Sequence, residues 1–108
     1  MIRTGLFALL LVIPVTLSAQ TAAERGQKVY AAQKCSICHS VSGVGNKRGA
    51  LDVIGSKLSP EETRQWIVDA PAMAAKAKAE RKPPMKAYAT LPKEDLEALV
   101  AYMQSLKK

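Results

Sequence analysis

The clearest pattern of apolar positions lies near the end of the chain. Leu96, Leu99, Val100, Met103 and Leu106 recur at the helical spacing of three and four residues, which places them on one face of a helix. Acidic residues stand near the start of this segment and lysines at its end, as the helix macrodipole favours. The pattern predicts an amphipathic C-terminal helix with one buried face.

Two further helices are predicted from their start signals. Thr21, with a carboxylate three positions later, has the pattern of a capping box, and the Ala-, Gln- and Lys-rich run behind it predicts a helix over 22–33. Ser59, followed by proline and two acids, marks a second start. This helix is predicted over 60–70, and Pro71 is expected to stop it.

The segments between these helices look irregular. Four glycines punctuate 40–55, which predicts a loop, and a loop of that length usually binds something. The Ala/Lys stretch 72–80 is compatible with a short helix or a mobile loop. The prolines in 81–85 exclude a helix interior there. No strand pattern is visible, so the chain predicts an all-α domain with three main helices and long loops.

The first residues have the pattern of an export signal. Arg3 supplies a positive start, 6–15 is almost wholly apolar, and 17–19 ends in a small residue suited to cleavage. An uncleaved anchor is the alternative, but the apolar run is shorter than the ~20 residues of a spanning helix. We therefore predict a cleaved signal peptide at 1–19 and a mature domain at 20–108, with no stable membrane insertion after cleavage.

The chain is basic, with a formal net charge of +7 that becomes +6 without Arg3. Such a surface suits nucleic acid, an anionic membrane or an acidic protein partner, or only keeps a small protein soluble. Export argues against nucleic acid. The charge is therefore compatible with an acidic protein partner without requiring one.

The segment Cys35-Ser36-Ile37-Cys38-His39 carries the strongest chemical signal. Two thiols at this spacing can reach the two vinyl groups of one porphyrin, and the adjacent imidazole is then brought under the iron. The motif predicts one covalently bound haem c per chain, with Cys35 and Cys38 as its attachment points and His39 as an iron ligand. A covalent cofactor would also stabilise a domain too small for a large core.

Three other sites can use the same residues. A closed zinc site needs four ligands, and a chain with two Cys and one His would have to add carboxylates or water. A thioredoxin-like redox pair is expected in a βαβ context, whereas a helix precedes Cys35 here. A plain disulfide would close a very small loop. The motif favours haem over all three.

The second axial ligand is predicted to be Met85. His39 is the single histidine of the chain, and a thioether is the natural partner that raises the potential of the iron. Met85 follows two prolines that stiffen the backbone, while Met103 lies on the apolar face of the last helix, where core filling is its default role. Met73 is the second choice, and an open or Lys-ligated iron is the remaining alternative.

Taken together, these residues resemble the class I c-type cytochromes of the small bacterial kind. The resemblance covers 23–106. It rests on Gly26 and Tyr30, on Cys35-Ser36-Ile37-Cys38-His39, on Gly49-Ala50-Leu51, on Trp66-Ile67, on Pro84-Met85, and on Leu99-Val100-Ala101-Tyr102. It implies a cytochrome c fold wrapped around the haem, in which Gly26 and Tyr30 of the first helix meet Leu99 and Tyr102 of the last.

The loop at Gly49-Ala50-Leu51 departs from that family, which often has Gly-Pro-x-Leu. The resemblance implies that a carbonyl here accepts a hydrogen bond from the proximal imidazole, and Ala50 is the residue expected to provide that carbonyl. Trp66 is a plausible indole N–H donor to a propionate and equally a core residue.

The resemblance implies a one-electron carrier rather than an enzyme, since both axial positions would be filled, and the export signal predicts a periplasmic location. Its partners would be redox proteins, with acidic docking surfaces, met by a monomer in small wet interfaces. Basic residues that flank the motif or the Met85 loop could steer such a partner; these are Lys34, Lys47, Arg48, Lys82 and Lys86. A haem sensor or a peroxidase-like enzyme is the alternative if Met85 does not bind the iron.

Overall fold

The protein was analysed as a computed structural model that describes Gly5, residues 9–13 and residues 20–108. Most of the predicted signal peptide, 1–19, lies outside the described residues, so this prediction stays untested. Among the residues described, no helix has the length and apolar character needed to cross a membrane.

Helices dominate residues 20–108. Within that range lie five α-helices, two short 3-10 turns and one two-stranded antiparallel hairpin. In chain order these are α1 (Ala22–Ala32), a 3-10 turn (Cys35–Ile37), β1 (Ser40–Val41), β2 (Val44–Gly45), a 3-10 turn (Lys47–Gly49), α2 (Ile54–Lys57), α3 (Pro60–Val68), α4 (Ala70–Ala77) and α5 (Lys93–Ser105).

Both predicted start residues cap their helices, although only the second forms the complete capping box. The Thr21 hydroxyl accepts a hydrogen bond of 3.1 Å from the backbone N–H of Glu24 and begins α1. Ser59 and Glu62 form a complete capping box, each side chain accepting from the other residue's backbone N–H at 3.1 Å. Both caps satisfy N–H groups that a helix start leaves without partners.

The first and last helices cross at Gly26. A Cβ placed there would lie 2.7 Å from the Cβ of Tyr102 and would overlap the carbonyl of Ala98, so only glycine permits the approach. One turn further on, the rings of Tyr30 and Tyr102 meet edge to face with centroids 5.6 Å apart. The expected contact between the terminal helices is confirmed, with Ala98 and Tyr102 rather than Leu99 facing the glycine.

An apolar core surrounds this crossing, and ion pairs lie at the edge of the core. Its buried members are Val29, Tyr30, Ile67, Leu99, Val100, Tyr102 and Met103. At the rim, Arg25 of α1 donates to Asp95 of α5 at 2.9 Å. Arg64 of α3 pairs with both carboxylate oxygens of Glu97, at 2.7 and 2.8 Å. The core and these pairs fix α1 and α3 against α5.

The predicted end of the second long helix is wrong. The helix stops at Val68 rather than at residue 70, and Ala70 already belongs to α4. Pro71 does not stop a helix; it lies in the first turn of the next one, where a missing N–H removes no helical hydrogen bond. The Ala/Lys stretch behind it is helical to Ala77, which was one of its two predicted conformations.

The sequence predicts a loop without regular structure over 40–55, but this segment contains the hairpin, a 3-10 turn and the start of α2. The two residues that join β1 to β2, Ser42 and Gly43, have φ values of 51° and 76°. Positive φ at both central positions is what a two-residue type I′ hairpin turn requires. Asp52 accepts from the Ser42 N–H at 2.6 Å and holds the turn. Strands of two residues are too short to show an alternating sequence pattern.

Candidate functional site

A cavity of about 410 Å³ brings the four predicted site residues together. Cys35, Cys38, His39 and Met85 all line it, although 46 positions of chain separate the last two. Its volume lies within the ~300–1,000 Å³ typical of cofactor and ligand sites. Apolar side chains from the loops, α2, α3 and α5 form much of the wall, including Leu51, Ile54, Ile67, Leu99 and Met103.

The attachment segment is a tight bend. Lys34 adopts the left-handed conformation with φ 57°, which turns the chain out of α1 and into the 3-10 turn. The carbonyl of Cys35 then accepts from the N–H groups of Cys38 and His39, at 3.1 and 2.9 Å. Both cysteines are half-buried and no disulfide joins them. One bend therefore presents two thiols and an imidazole to the same cavity.

The imidazole of His39 is fixed by a backbone carbonyl. Its Nδ1 lies 2.9 Å from the oxygen of Gly49, which can only accept, so Nδ1 carries the proton and Nε2 keeps a free lone pair. The expected carbonyl was that of Ala50. Gly49 supplies it instead, because the 3-10 turn over Lys47–Gly49 places that residue's carbonyl beside the ring.

Burial is the main cause that lowers the pKa of His39, since a buried imidazolium loses hydration. The hydrogen bond to Gly49 opposes this shift, and the positive charge of Arg81 adds to it. The lowered pKa favours the neutral ring, which is the form that ligates a metal.

Arg81 is a site residue that the sequence did not reveal. Its guanidinium donates to the carbonyl of Cys38, lines the cavity and lies against Gly49, where a Cβ would overlap it. No local pattern distinguishes it from neighbouring Lys82, because its role depends on two loops far apart in sequence. The missing side chain at position 49 is the one available hint.

The loop that carries Met85 is held mainly by contacts with other parts of the chain. Within the described part of the chain, residues 80–87 make no backbone–backbone hydrogen bond. The segment ends where the N–H of Tyr88 donates to the carbonyl of Ile67 at 2.9 Å. Pro83 and Pro84 line the cavity beside Met85 and limit its backbone freedom.

The other two methionines of residues 20–108 differ in position. Met103 is buried in the core at 6% exposure and also forms part of the cavity wall. Met73 lies on α4 and is not among the residues that line the cavity. The structure therefore separates Met73 from the site, while the choice of Met85 as the iron ligand stays a prediction.

Tyr30 adds a polar group at the cavity. It is 8% exposed, and its hydroxyl oxygen is a buried atom without a hydrogen-bond partner. Burial, with a smaller contribution from nearby Cys35, raises the pKa of Tyr30 to about 12. A buried hydroxyl left unpaired is costly in a finished core, so its presence beside the cavity fits a site that a further group completes.

The residues present fit a c-type haem. Two thiols, a neutral imidazole and a thioether converge on a largely apolar cavity, and this is the donor set that such a group needs. The carboxylates that a zinc site would have to add are not gathered there, since within the described ranges no group of three His, Cys, Asp or Glu side chains is placed to hold one metal ion. Trp66 also lines the cavity, as a propionate contact would require.

Comparison with known proteins now decides the family. The family model described as Cytochrome c matches residues 23–107. The chain belongs to the cytochrome c family. Membership confirms the predicted all-α cytochrome c fold and supports a haem-based electron carrier.

Among curated proteins, this cytochrome c is similar to the cytochrome c oxidase subunit 2 of Alkalihalophilus pseudofirmus. The two are 32% identical over 97 residues, which cover 82% of this chain and 27% of the relative. The chain therefore spans about a quarter of the length of that relative. No solved structure gives a significant match to this chain.

Proposed function

We propose that this cytochrome c is an exported, monomeric one-electron carrier. In this proposal Cys35 and Cys38 bind one haem covalently, and His39 and Met85 are its axial ligands. The observation that carries the proposal is the convergence of all four side chains on one cavity of about 410 Å³. Family membership supports the haem itself, and the geometry supports the ligand set.

When bound, the haem iron supplies a reversible one-electron couple. The chain's own residues determine how that couple behaves. The hydrogen bond from His39 to Gly49 orients the imidazole and leaves Nε2 free to ligate. Apolar walls exclude water, and a thioether as second ligand favours a raised potential.

A carrier rather than an enzyme is supported by the same arrangement. If His39 and Met85 occupy both axial positions, a substrate has no open coordination site. The bound haem would then exchange electrons with a partner protein without forming a bond to a substrate. The export pattern of residues 1–19 supports a periplasmic location, where a c-type haem is attached in bacteria.

The proposed partners are redox proteins with acidic docking surfaces. All five basic residues expected to flank the ring edge, Lys34, Lys47, Arg48, Lys82 and Lys86, are exposed to solvent. The Nζ atom of Lys86 lies 5.0 Å from the ring centroid of Tyr88, and Tyr88 lines the cavity. The similarity to part of a cytochrome c oxidase subunit supports an oxidase of that kind as an electron acceptor.

The test is the absorption spectrum of protein matured in a host that attaches c-type haem. We expect a low-spin spectrum with the weak far-red band of thioether-to-iron ligation in the oxidised state. Met85→Ala should abolish that band, and Met73→Ala, a matched methionine outside the cavity, should keep it. A high-spin wild type would favour sensing or catalysis at an open iron, and protein without haem would contradict the proposal.

A further inference from the structure

We propose that Arg81 is a positioning residue that ties the Met85 loop to the haem-attachment segment. The inference rests on the proposed function for the identity of the bound group, but the tether itself is a contact within the chain. Arg81 begins the proline-containing loop, and its guanidinium reaches the carbonyl of Cys38, 43 positions earlier in the sequence.

Two observations place this contact at the site rather than at a random part of the surface. Arg81 lines the cavity together with Cys38 and Met85. It packs on Gly49, the residue whose carbonyl holds His39. One guanidinium thus touches both the attachment segment and the loop that orients the imidazole.

The loop has few other restraints. Residues 80–87, all described by the structure, form no backbone–backbone hydrogen bond, so regular structure does not hold Met85 in place. The Tyr88 N–H fixes the far end of the loop to Ile67 of α3. Arg81 fixes the near end. A thioether is a weak ligand, so its occupancy depends on how well the two ends are held.

The geometry of this contact favours arginine over lysine at position 81. A lysine at position 81 would keep the charge but would lose the planar fork of the guanidinium, which can face a carbonyl while stacking on the bare backbone of Gly49. The same contact requires glycine at position 49, because a Cβ there would occupy the place of the Arg81 guanidinium.

The experiment compares Arg81→Gln with Lys76→Gln in the mature holoprotein. Lys76 is an exposed residue of α4, so its replacement removes the same charge without touching the loop. The first readout is cleavage of the Lys86–Ala87 bond by a lysine-specific protease, with the product identified by mass. Neither substitution alters that bond. Cleavage of a transiently opened loop follows the population of the open form.

We expect Arg81→Gln to be cut about tenfold faster than Lys76→Gln at Lys86, which corresponds to about 1.4 kcal/mol. The second readout is the affinity of added imidazole, which competes with the thioether for the iron. It should bind about tenfold more tightly to Arg81→Gln, and Arg81→Lys should lie between that variant and the wild type.

Equal cleavage rates in Arg81→Gln and Lys76→Gln would overturn the tether, whatever the iron ligands are. If cleavage accelerates but Met85→Ala leaves the spectrum unchanged, the tether stands and the proposed ligand set fails. The two proposals are therefore tested separately, because protease cleavage does not depend on Met85 binding iron.

Discussion

The Nδ1 atom of His39 lies 2.9 Å from the carbonyl oxygen of Gly49. The packing around this carbonyl also requires glycine at position 49, because there is no room for a Cβ. A Cβ at position 49 would overlap the carbonyl of Cys38 and the guanidinium of Arg81. One glycine therefore serves the orientation of the imidazole and the approach of two chain segments.

Gly49→Ala should destabilise the protein by about 1–3 kcal/mol, the range for overpacking a filled site. The guanidinium could move aside, but the Cys38 carbonyl is backbone and follows only if the attachment segment shifts. Chemical denaturation of the holoprotein measures the change. Ala50→Val, one residue further on at an exposed position, should change stability by less than about 0.5 kcal/mol. Equal effects of both variants would contradict the packing argument.

Gly26→Ala should also be destabilising, although alanine is the better helix former by about 1 kcal/mol. The added Cβ overlaps the Ala98 carbonyl of α5, and two packed helices cannot separate locally without losing core contacts. We expect a net loss of about 1–3 kcal/mol in thermal or chemical unfolding. Lys28→Ala, on the exposed side of α1, should be close to neutral. A stabilised Gly26→Ala would mean that the crossing is looser than described.

The raised pKa of Tyr30 predicts a loss of stability at high pH. In the unfolded chain the phenol ionises near pH 10, while burial keeps it protonated in the folded chain up to about 12. The stabilisation is complete below pH 10 and is lost as the pH rises towards 12, because the unfolded state then releases its proton first. At 1.36 kcal/mol for each pH unit, the loss is at most about 2.7 kcal/mol.

Tyr30→Phe should remove this part of the alkaline destabilisation. The measurement is the free energy of unfolding of both proteins between pH 9 and 12 in steps, with denaturant. The variant should show a shallower decline, and the difference from the wild type should grow above pH 10. Parallel curves would mean that the hydroxyl titrates normally in the folded protein. Tyr88 and Tyr102, whose pKa values burial also raises, remain in both proteins and cancel from the comparison.

Reversing the charge of Lys82 and Lys86 together should slow electron transfer to an acidic partner. Steering by surface charge acts on the association rate and weakens as salt screens it. Stopped-flow rates should fall at low ionic strength and approach the wild-type rate at high ionic strength. Reversal of Lys107 and Lys108, exposed lysines beyond the C-terminal end of α5, gives a control variant of the same net charge. Equal slowing by both pairs would indicate a general charge effect without a docking surface.

Local signals predicted much of this fold. The two caps, the apolar stripe of α5 and the Cys-x-x-Cys-His bend each depend on residues within a few positions of one another, so the sequence reveals them. Pro71 shows the limit of this approach, because proline is tolerated both after a helix and in the first turn of the next one. Only the packing of α4 decides between the two positions.

The parts of the site that were missed depend on tertiary contacts. Arg81 looks like any basic residue of an exposed loop until the chain brings Cys38 and Gly49 beside it. The same is true of the carbonyl that accepts from His39. It belongs to Gly49 rather than to Ala50, because residues 47–49 form a 3-10 turn instead of a simple loop. Neither relationship leaves a periodic pattern.

The crossing at Gly26 also has a consequence for folding order. Arg25 and Asp95, which pair beside it, are 70 positions apart, so the largest helix interface forms only when both ends of the domain meet. Contacts of such long sequence separation are slow to form, because the chain between them loses freedom before the contact stabilises anything. The bend at Cys35–His39 is local to α1 and needs no distant partner for its backbone hydrogen bonds. A chain still lacking α5 could therefore present its two thiols while the domain remains open, and closure by the last helix would come afterwards.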